Sequence, residues 1–316
     1  MEPANLSVSA APVVVMTLFE AGHYEVGAMA LCNSLVRSGY QGTLWCGVRG
    51  LPPRWAGRVS DQSGAVDVQV VPLDPPCHLM NYKPDFMLSV ADRVPDARAY
   101  VYLDPDIVVK CKWSEIEDWC MRGIAAIADA NWLMPASSPV RARWRQLRAL
   151  LSVAPVLGES GGALDIYCNS GFVGVTRDDL PFVELWRDLL RSALDRNVYE
   201  DVELRSQLRA IGHLDQELFN LALMSYSHRC SLRGPEAMDF APGGEVFSHA
   251  IGSPKPWQKR FVRRALIGKP PSKIDREFLR YCEGPLPAMG RWQQRRRFAA
   301  YLAARGVGAV FQRSDY

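Results

Sequence analysis

The chain has 316 residues, 48% of them hydrophobic and 22% charged, which is enough apolar material for one large domain or a domain with an appendage and excludes an intrinsically disordered chain. Its net charge of +3 hides two unlike regions. Residues 255–316 hold 15 Lys or Arg against 4 Asp or Glu, while the rest holds 22 against 30.

Residues 12–19 (PVVVMTLF) are rich in β-branched side chains and predict a first strand. The apolar run at 11–19 is about half the length of a membrane span. The first twelve residues carry no Lys or Arg, so no amino-terminal signal is expected. Residues 23–40 follow at helical period. The spacing then predicts a strand at 42–48, a helix near 54–62, a strand at 66–73, a helix near 84–93 and a strand over 98–109 (RAYVYLDPDIVV). This alternation implies βαβ units, an α/β fold with a largely parallel sheet, and ligands at the carboxyl ends of the strands.

After 123–129 (GIAAIAD) the pattern breaks. Residues 131–165 contain Pro135, Pro139 and Pro155, a basic stretch from Arg141 to Arg148, and Gly161–Gly162. They read as an insertion carrying a short helix near 140–151. A strand resumes at 166–175, an amphipathic helix covers 180–197, and another helix begins near Asp215. These elements delimit a main domain over 1–257 and a basic, helical appendage over 258–316. The eight cysteines show no C-x-x-C pair and many lie in apolar segments. They read as buried reduced thiols rather than disulfides or a zinc site, which points to a reducing cytoplasm.

Four constellations carry chemistry. Asp104 and Asp106 form a D-x-D inside an apolar strand pattern; at i and i+2 the two carboxylates face one side and can share a divalent cation that bridges a diphosphate. In SHAIGSPKPW (248–257), His249 offers an imidazole nitrogen to the same cation, Gly252 permits close backbone approach and Lys255 balances phosphate charge. In CNSGFVGV (168–175), Asn169 and Ser170 mark either a turn or polar groups facing a sugar. Asp215 and Gln216 open a helix, with Asp215 either its N-cap or a group beside a reacting carbon.

In this order the motifs resemble retaining glycosyltransferases of family 8, the family of glycogenin and the bacterial lipooligosaccharide α-galactosyltransferases, over roughly residues 12–257. The segment VVMTLFEAGHYEVGAMALCNSL (14–35) looks like that family's opening strand and helix, with Tyr24, Gly27 and Ala28 in its Tyr–x–x–Gly–Ala pattern. The resemblance implies a GT-A fold, a UDP-sugar donor carrying galactose or glucose, and a hydroxyl acceptor on a glycan or glycolipid. It implies Mn2+, with Mg2+ as the alternative, held by Asp104, Asp106 and His249. Thr17 and Leu18 would contact the base and Tyr24 would stack on it. Lys83, Asn169 and Ser170 would line the donor, Asp215 and Gln216 the reaction centre, and Gly252 and Lys255 the diphosphate. The chain departs from the family pattern at Ala250, where an aromatic residue is common, at Glu217, where some members have Asp, and in the long 131–165 segment.

The mechanism expected is attack by the acceptor hydroxyl on the face the leaving group vacates, with a covalent intermediate on Asp215 or Glu217 as the alternative. Two other classes compete. A sugar nucleotidyltransferase would carry a Gly-rich basic loop after the first strand, where this chain has TLFEAGHYE (17–25). A non-catalytic nucleotide-sugar-binding protein could dispense with the metal ligands, yet all three are present. Basic and aromatic residues alternate in the tail, with Trp292, Phe298, Tyr301 and Leu302 expected on one helical face against Arg295, Arg296 and Arg297. That pattern predicts either peripheral binding through 258–316 to an anionic membrane on its cytoplasmic face, or aromatics packed on the catalytic domain with solvated arginines. Nucleic acid is not an expected partner, because no recognised binding motif accompanies the charge.

Overall fold

Strand β1 (Val13–Glu20) runs through the middle of a mixed sheet because its sequence is apolar on both faces. Val13, Val15 and Phe19 enter one core cluster, and Val14, Met16 and Leu18 enter the other. A strand covered on both sides requires such an unbroken apolar run. The computed structural model describes residues 12–135, 137–152, 165–208, 213–226 and 229–311.

From β1 the chain passes through α1 (Glu25–Ser38), β2 (Gln41–Arg49), β3 (Gly57–Ser60), β4 (Ala65–Leu73), α2 (Lys83–Arg93) and β5 (Ala99–Leu103). A short β6 (Ile107–Val109), α3 (Trp113–Cys120), β7 (Ile124–Leu133), α4 (Pro139–Leu150), β8 (Ile166–Thr176), α5 (Leu180–Asp195), α6 (Val202–Gln207) and α7 (Leu214–Ser225) follow. Then come β9 (Cys230–Arg233), β10 (Phe247–His249), α8 (Phe261–Leu266), α9 (Lys273–Tyr281) and α10 (Arg291–Phe311). The eight-stranded sheet has the order β3-β4-β2-β1-β5-β8-β7-β9, and β6 pairs with β10 in a separate two-stranded ribbon. Neighbours β4, β2, β1 and β5 are parallel; β8 is antiparallel to both β5 and β7. The fold is α/β, with helices flanking a mixed sheet.

Three expectations change. Residues 54–62 do not form a helix: β3 pairs antiparallel with β4, from Gly57 opposite Val68 to Ser60 opposite Ala65. Gly57 has φ +109, outside the helical region, and only Val59 of the four strand residues turns inward, so the period is two and not 3.6. The strand expected over 98–109 is split at Asp104–Asp106 into β5 and β6, since Pro105 has no N–H to extend a ladder. On α10, Tyr301 does not share the exposed face with Trp292, Phe298 and Leu302. It is buried edge-on against Phe261, on a stripe with Gln294, Ala304 and Gly308 that recurs at helical spacing. Arg297 is half-buried and donates to the carbonyls of Pro256 at 2.6 Å and Lys259 at 3.1 Å.

The helix near 140–151 is α4, and Ser138 caps it by accepting from the Val140 N–H. Pro155 and Gly161–Gly162 lie outside the described residues. Cys32, Cys46, Cys120, Cys168 and Cys282 are buried, and burial pushes the thiols of Cys32, Cys120 and Cys282 up to about 12. Among the described residues no helix is long and apolar enough to cross a membrane.

One buried side chain ties the tail to the sheet layer. Asn33 of α1 donates to the carbonyls of Tyr281 at 2.9 Å and Leu286 at 2.7 Å, and its Oδ1 accepts from the Leu286 N–H at 2.9 Å. Replacing it with Ala strands two carbonyls and an amide N–H in the interior. The expected loss is about 2–4 kcal/mol of unfolding free energy, read as a lower denaturant midpoint at unchanged slope. A change below about 0.5 kcal/mol would show that the clasp contributes nothing.

Candidate metal and ligand site

The site begins with a turn. The Asp104 N–H donates to Gly171 O at 2.7 Å, continuing the β5–β8 ladder, and the Asp104 carbonyl accepts from the Ile107 N–H at 3.0 Å. After the turn β6 meets β10, with His249 opposite Ile107, and the Ala250 N–H donates to Asp106 O at 2.9 Å. Backbone hydrogen bonds thus carry His249 to the D-x-D, although the two lie far apart in sequence. His249 Nε2 is 3.3 Å from Asp106 Oδ1 and 4.0 Å from Asp104 Oδ2.

One ligand atom from each of Asp104, Asp106 and His249 falls within 4.8 Å of the others. Bonds of about 2.1 Å around an octahedral cation put its ligands about 3 Å apart when adjacent and about 4.2 Å when opposite. The set therefore fits a divalent cation. Gly171 makes room for the convergence. A Cβ there would lie 2.6 Å from His249 Cε1, 2.8 Å from Asn169 Oδ1 and 3.0 Å from Asp104 Oδ2.

Two lysines neutralise the carboxylates. Lys83, at the start of α2 and 3% exposed, puts Nζ 3.1 Å from Asp104 Oδ1 and 3.0 Å from Asp215 Oδ2, and also donates to Ser170 Oγ at 3.3 Å. Burial opposes its charge, but the Asp104 and Asp215 carboxylates outweigh it and hold the ammonium above the usual lysine value. Lys255 donates to Asp106 Oδ2 and, at 2.8 Å, to Ala250 O. Burial likewise opposes charge on Asp106, yet His249 and Lys255 hold its carboxyl well below the usual range. Tyr102 is raised well above an ordinary phenol, by burial first and then by Asp104, so it stays a donor to Asp104 Oδ1 at 2.9 Å.

A polar network faces the same space. Ser170 Oγ donates to Asp215 Oδ2 at 2.7 Å. Gln216 Oε1 accepts from Asn169 Nδ2 at 3.1 Å and the Ser170 N–H at 3.2 Å, while Gln216 Nε2 donates to Asp129 Oδ2 at 3.2 Å. Asn220 fastens α7 beneath this network, with Oδ1 on the Cys168 N–H at 2.7 Å and Nδ2 on Cys168 O at 2.8 Å. The N-cap reading of Asp215 does not hold: His213 occupies the cap position and Asp215 lies inside the first turn, turned toward Lys83. Glu217 points the other way. It is 0% exposed and accepts from Trp144 Nε1 at 3.0 Å and Tyr167 OH at 2.7 Å.

These groups line one cleft of about 650 Å3. It gathers Leu18, Tyr24, Lys83, Asp104, Asp106, Asn169, Ser170, Asp215, Gln216, His249, Gly252 and Lys255. Thr17 is not brought there. It is fully buried, and the strand-end residues beyond it, Phe19 and Glu20, line the cleft instead. Tyr24 sits edge-on to Trp257 and carries the Lys255 ammonium 5.6 Å from its ring. Gly252, with φ +74, adopts a backbone that other residues rarely take.

Sequence reasoning missed Asp129 and Tyr102, both in the cleft wall. The signal for Asp129 was present, since GIAAIAD ends an apolar run in a carboxylate as RAYVYLD does. No protein-family model matches the chain, and no curated protein matches it.

Proposed function

We propose that the chain is a metal-dependent, retaining glycosyltransferase of GT-A type, similar to glycosyltransferase family 8. It would move galactose or glucose from a UDP-sugar to a hydroxyl of a glycan or glycolipid. The observation that carries this reading is the meeting, in one cleft, of a cation-holding Asp–Asp–His group, two buried lysines and a separate amide–carboxylate network. A diphosphate needs the first two, and a sugar ring with several hydroxyls needs the third.

Asp104, Asp106 and His249 would hold Mn2+ or Mg2+, which supplies electrostatic stabilisation of the departing diphosphate. Lys255 adds a second positive charge beside Asp106. Tyr24, whose ring lies 5.6 Å from the Lys255 ammonium, would stack on the base. Gln216 is held through both ends of its amide and cannot rotate freely, so its polarity under the sugar is fixed in advance. Asp215 is neutralised by Lys83, accepts a hydrogen bond from Ser170 Oγ and would orient hydroxyls. Glu217 is turned out of the cleft by Trp144 and Tyr167, which removes it as a covalent nucleophile. Asp215 remains the carboxylate for a double displacement, but its pairing with Lys83 supports same-face attack by the acceptor hydroxyl as the reading we favour. Nucleotide-sugar hydrolysis, screened with and without Mn2+, tests the reading without an acceptor. UDP-galactose or UDP-glucose should be hydrolysed only with the cation present, and no turnover of any nucleotide-sugar sinks the donor assignment.

The tail supports a partner. Trp292 is 77% exposed, and Leu266, Ile267, Phe298 and Leu302 are exposed large apolar side chains among Arg263, Arg291, Arg295 and Arg296. Each basic residue near an anionic leaflet is worth about 1 kcal/mol, and the apolar side chains add burial at the headgroup boundary. Co-sedimentation should follow anionic vesicles at low salt and weaken at high salt. Equal partitioning to neutral vesicles, or none to either, removes the electrostatic component.

A further inference from the structure

We propose that Lys255 is an internal counter-ion that makes binding of a divalent cation at Asp104–Asp106–His249 depend on the arrival of a diphosphate. The inference rests on the site reading above but makes its own claim about binding. Asp106 has two oxygens, and both are committed: Oδ1 faces His249 Nε2 at 3.3 Å, and Oδ2 accepts from Lys255 Nζ. The Lys255 ammonium also donates to Ala250 O at 2.8 Å and is 8% exposed, so water does little to screen it.

Each carboxylate of the D-x-D has an ammonium group on it, although Lys83 is shared between Asp104 and Asp215. Lys83 stands on Asp104 and Lys255 on Asp106. A divalent cation entering alone meets two ammonium groups already holding its carboxylates, and the like charges repel. A diphosphate entering alone meets the same carboxylates. Each ligand removes the obstacle to the other if one lysine can leave its carboxylate for phosphate.

Only Lys255 is built to move. Lys83 is gripped by Asp104, Asp215 and both Ser170 oxygens. Lys255 has a single carboxylate partner, and its backbone is fixed, with the N–H on Gln258 Oε1 at 3.2 Å and the carbonyl accepting from the Gln258 N–H at 2.8 Å. A fixed backbone with a flexible four-carbon stem lets Nζ swing without moving the loop. By linkage, cation and diphosphate then raise each other's affinity by the same factor.

The test is isothermal titration of MnCl2 into wild type, Lys255→Met and Lys255→Arg, each alone, with saturating UDP and with inorganic pyrophosphate. Wild type should bind Mn2+ at least about tenfold more tightly when UDP is present, within the usual range of such couplings. Lys255→Met should bind Mn2+ alone about tenfold more tightly than wild type and show weaker coupling, keeping only the part that direct cation–phosphate contact supplies, while Lys255→Arg keeps both wild-type values. If Lys255→Met fails to fold by thermal melt, Lys255→Gln replaces it. Mn2+ affinity of the neutral variant no higher than wild type, or undiminished coupling in it, overturns the inference and leaves the donor reading intact. Coupling to pyrophosphate but not to UDP upholds Lys255 as the counter-ion and removes the nucleotide donor instead.

Discussion

Asp106→Asn is expected to lower metal-dependent nucleotide-sugar hydrolysis by about a thousandfold while the protein still folds, an effect at the upper end of what loss of one electrostatic group costs an active site. Asp106 is 5% exposed and stands between His249 and Lys255. The amide keeps its shape and one acceptor oxygen, so Ala250 and β6 hold their backbone bonds. What disappears is the charge that joins the imidazole and the second carboxylate around a cation. Activity in excess EDTA gives the same information from the other side. Full turnover without free divalent cation, or a variant with wild-type turnover, ends the metal assignment.

Gly171→Ala should weaken Mn2+ binding about a hundredfold, although no ligand residue is substituted. The added methyl would overlap His249 Cε1, Asn169 Oδ1 and Asp104 Oδ2 together, and it sits on β8, whose pairing with β5 gives it no freedom to retreat. The imidazole and the carboxylate must separate, and displacement of about 1 Å in such a group costs about a hundredfold. Overpacking also lowers stability by about 1–3 kcal/mol, so metal affinity and melting temperature are measured on the same sample. Wild-type Mn2+ affinity in this variant would show that the side chains around Gly171 give way without disturbing the ligand set.

Elements with a clean period were legible from the chain alone. The apolar positions of α5 repeat every three to four residues, and β1, β2, β4 and β8 are β-branched or apolar runs between turns. Where the sequence misled, a single residue decided the outcome: Gly57 turned a supposed helix into β3, and Pro105 split one strand into two. The D-x-D and His249 were identifiable because their chemistry is specific. Their approach was not, since it depends on β6 pairing with β10. Asp129 went unnoticed because a carboxylate inside β7 gains meaning only once Asn169 and Gln216 are seen to bind it. The tail's charge was plain, but which aromatic would be buried depended on the faces that α8 and α9 offer to α10, and these are set by tertiary packing.

The pairing of β6 with β10 also sets a timetable for the ribosome. Asp106 and Lys255 are 149 positions apart. At about 5–20 residues per second, the D-x-D is made roughly 7–30 seconds before its partners. Through that interval β6 has no ribbon partner, and its apolar Ile-Val-Val edge is open to any strand that passes. Completion of the ligand set is therefore a late event in biosynthesis, and a chain cut short before β10 would keep Asp104 on Lys83 and Tyr102 but leave Asp106 without His249 and Lys255.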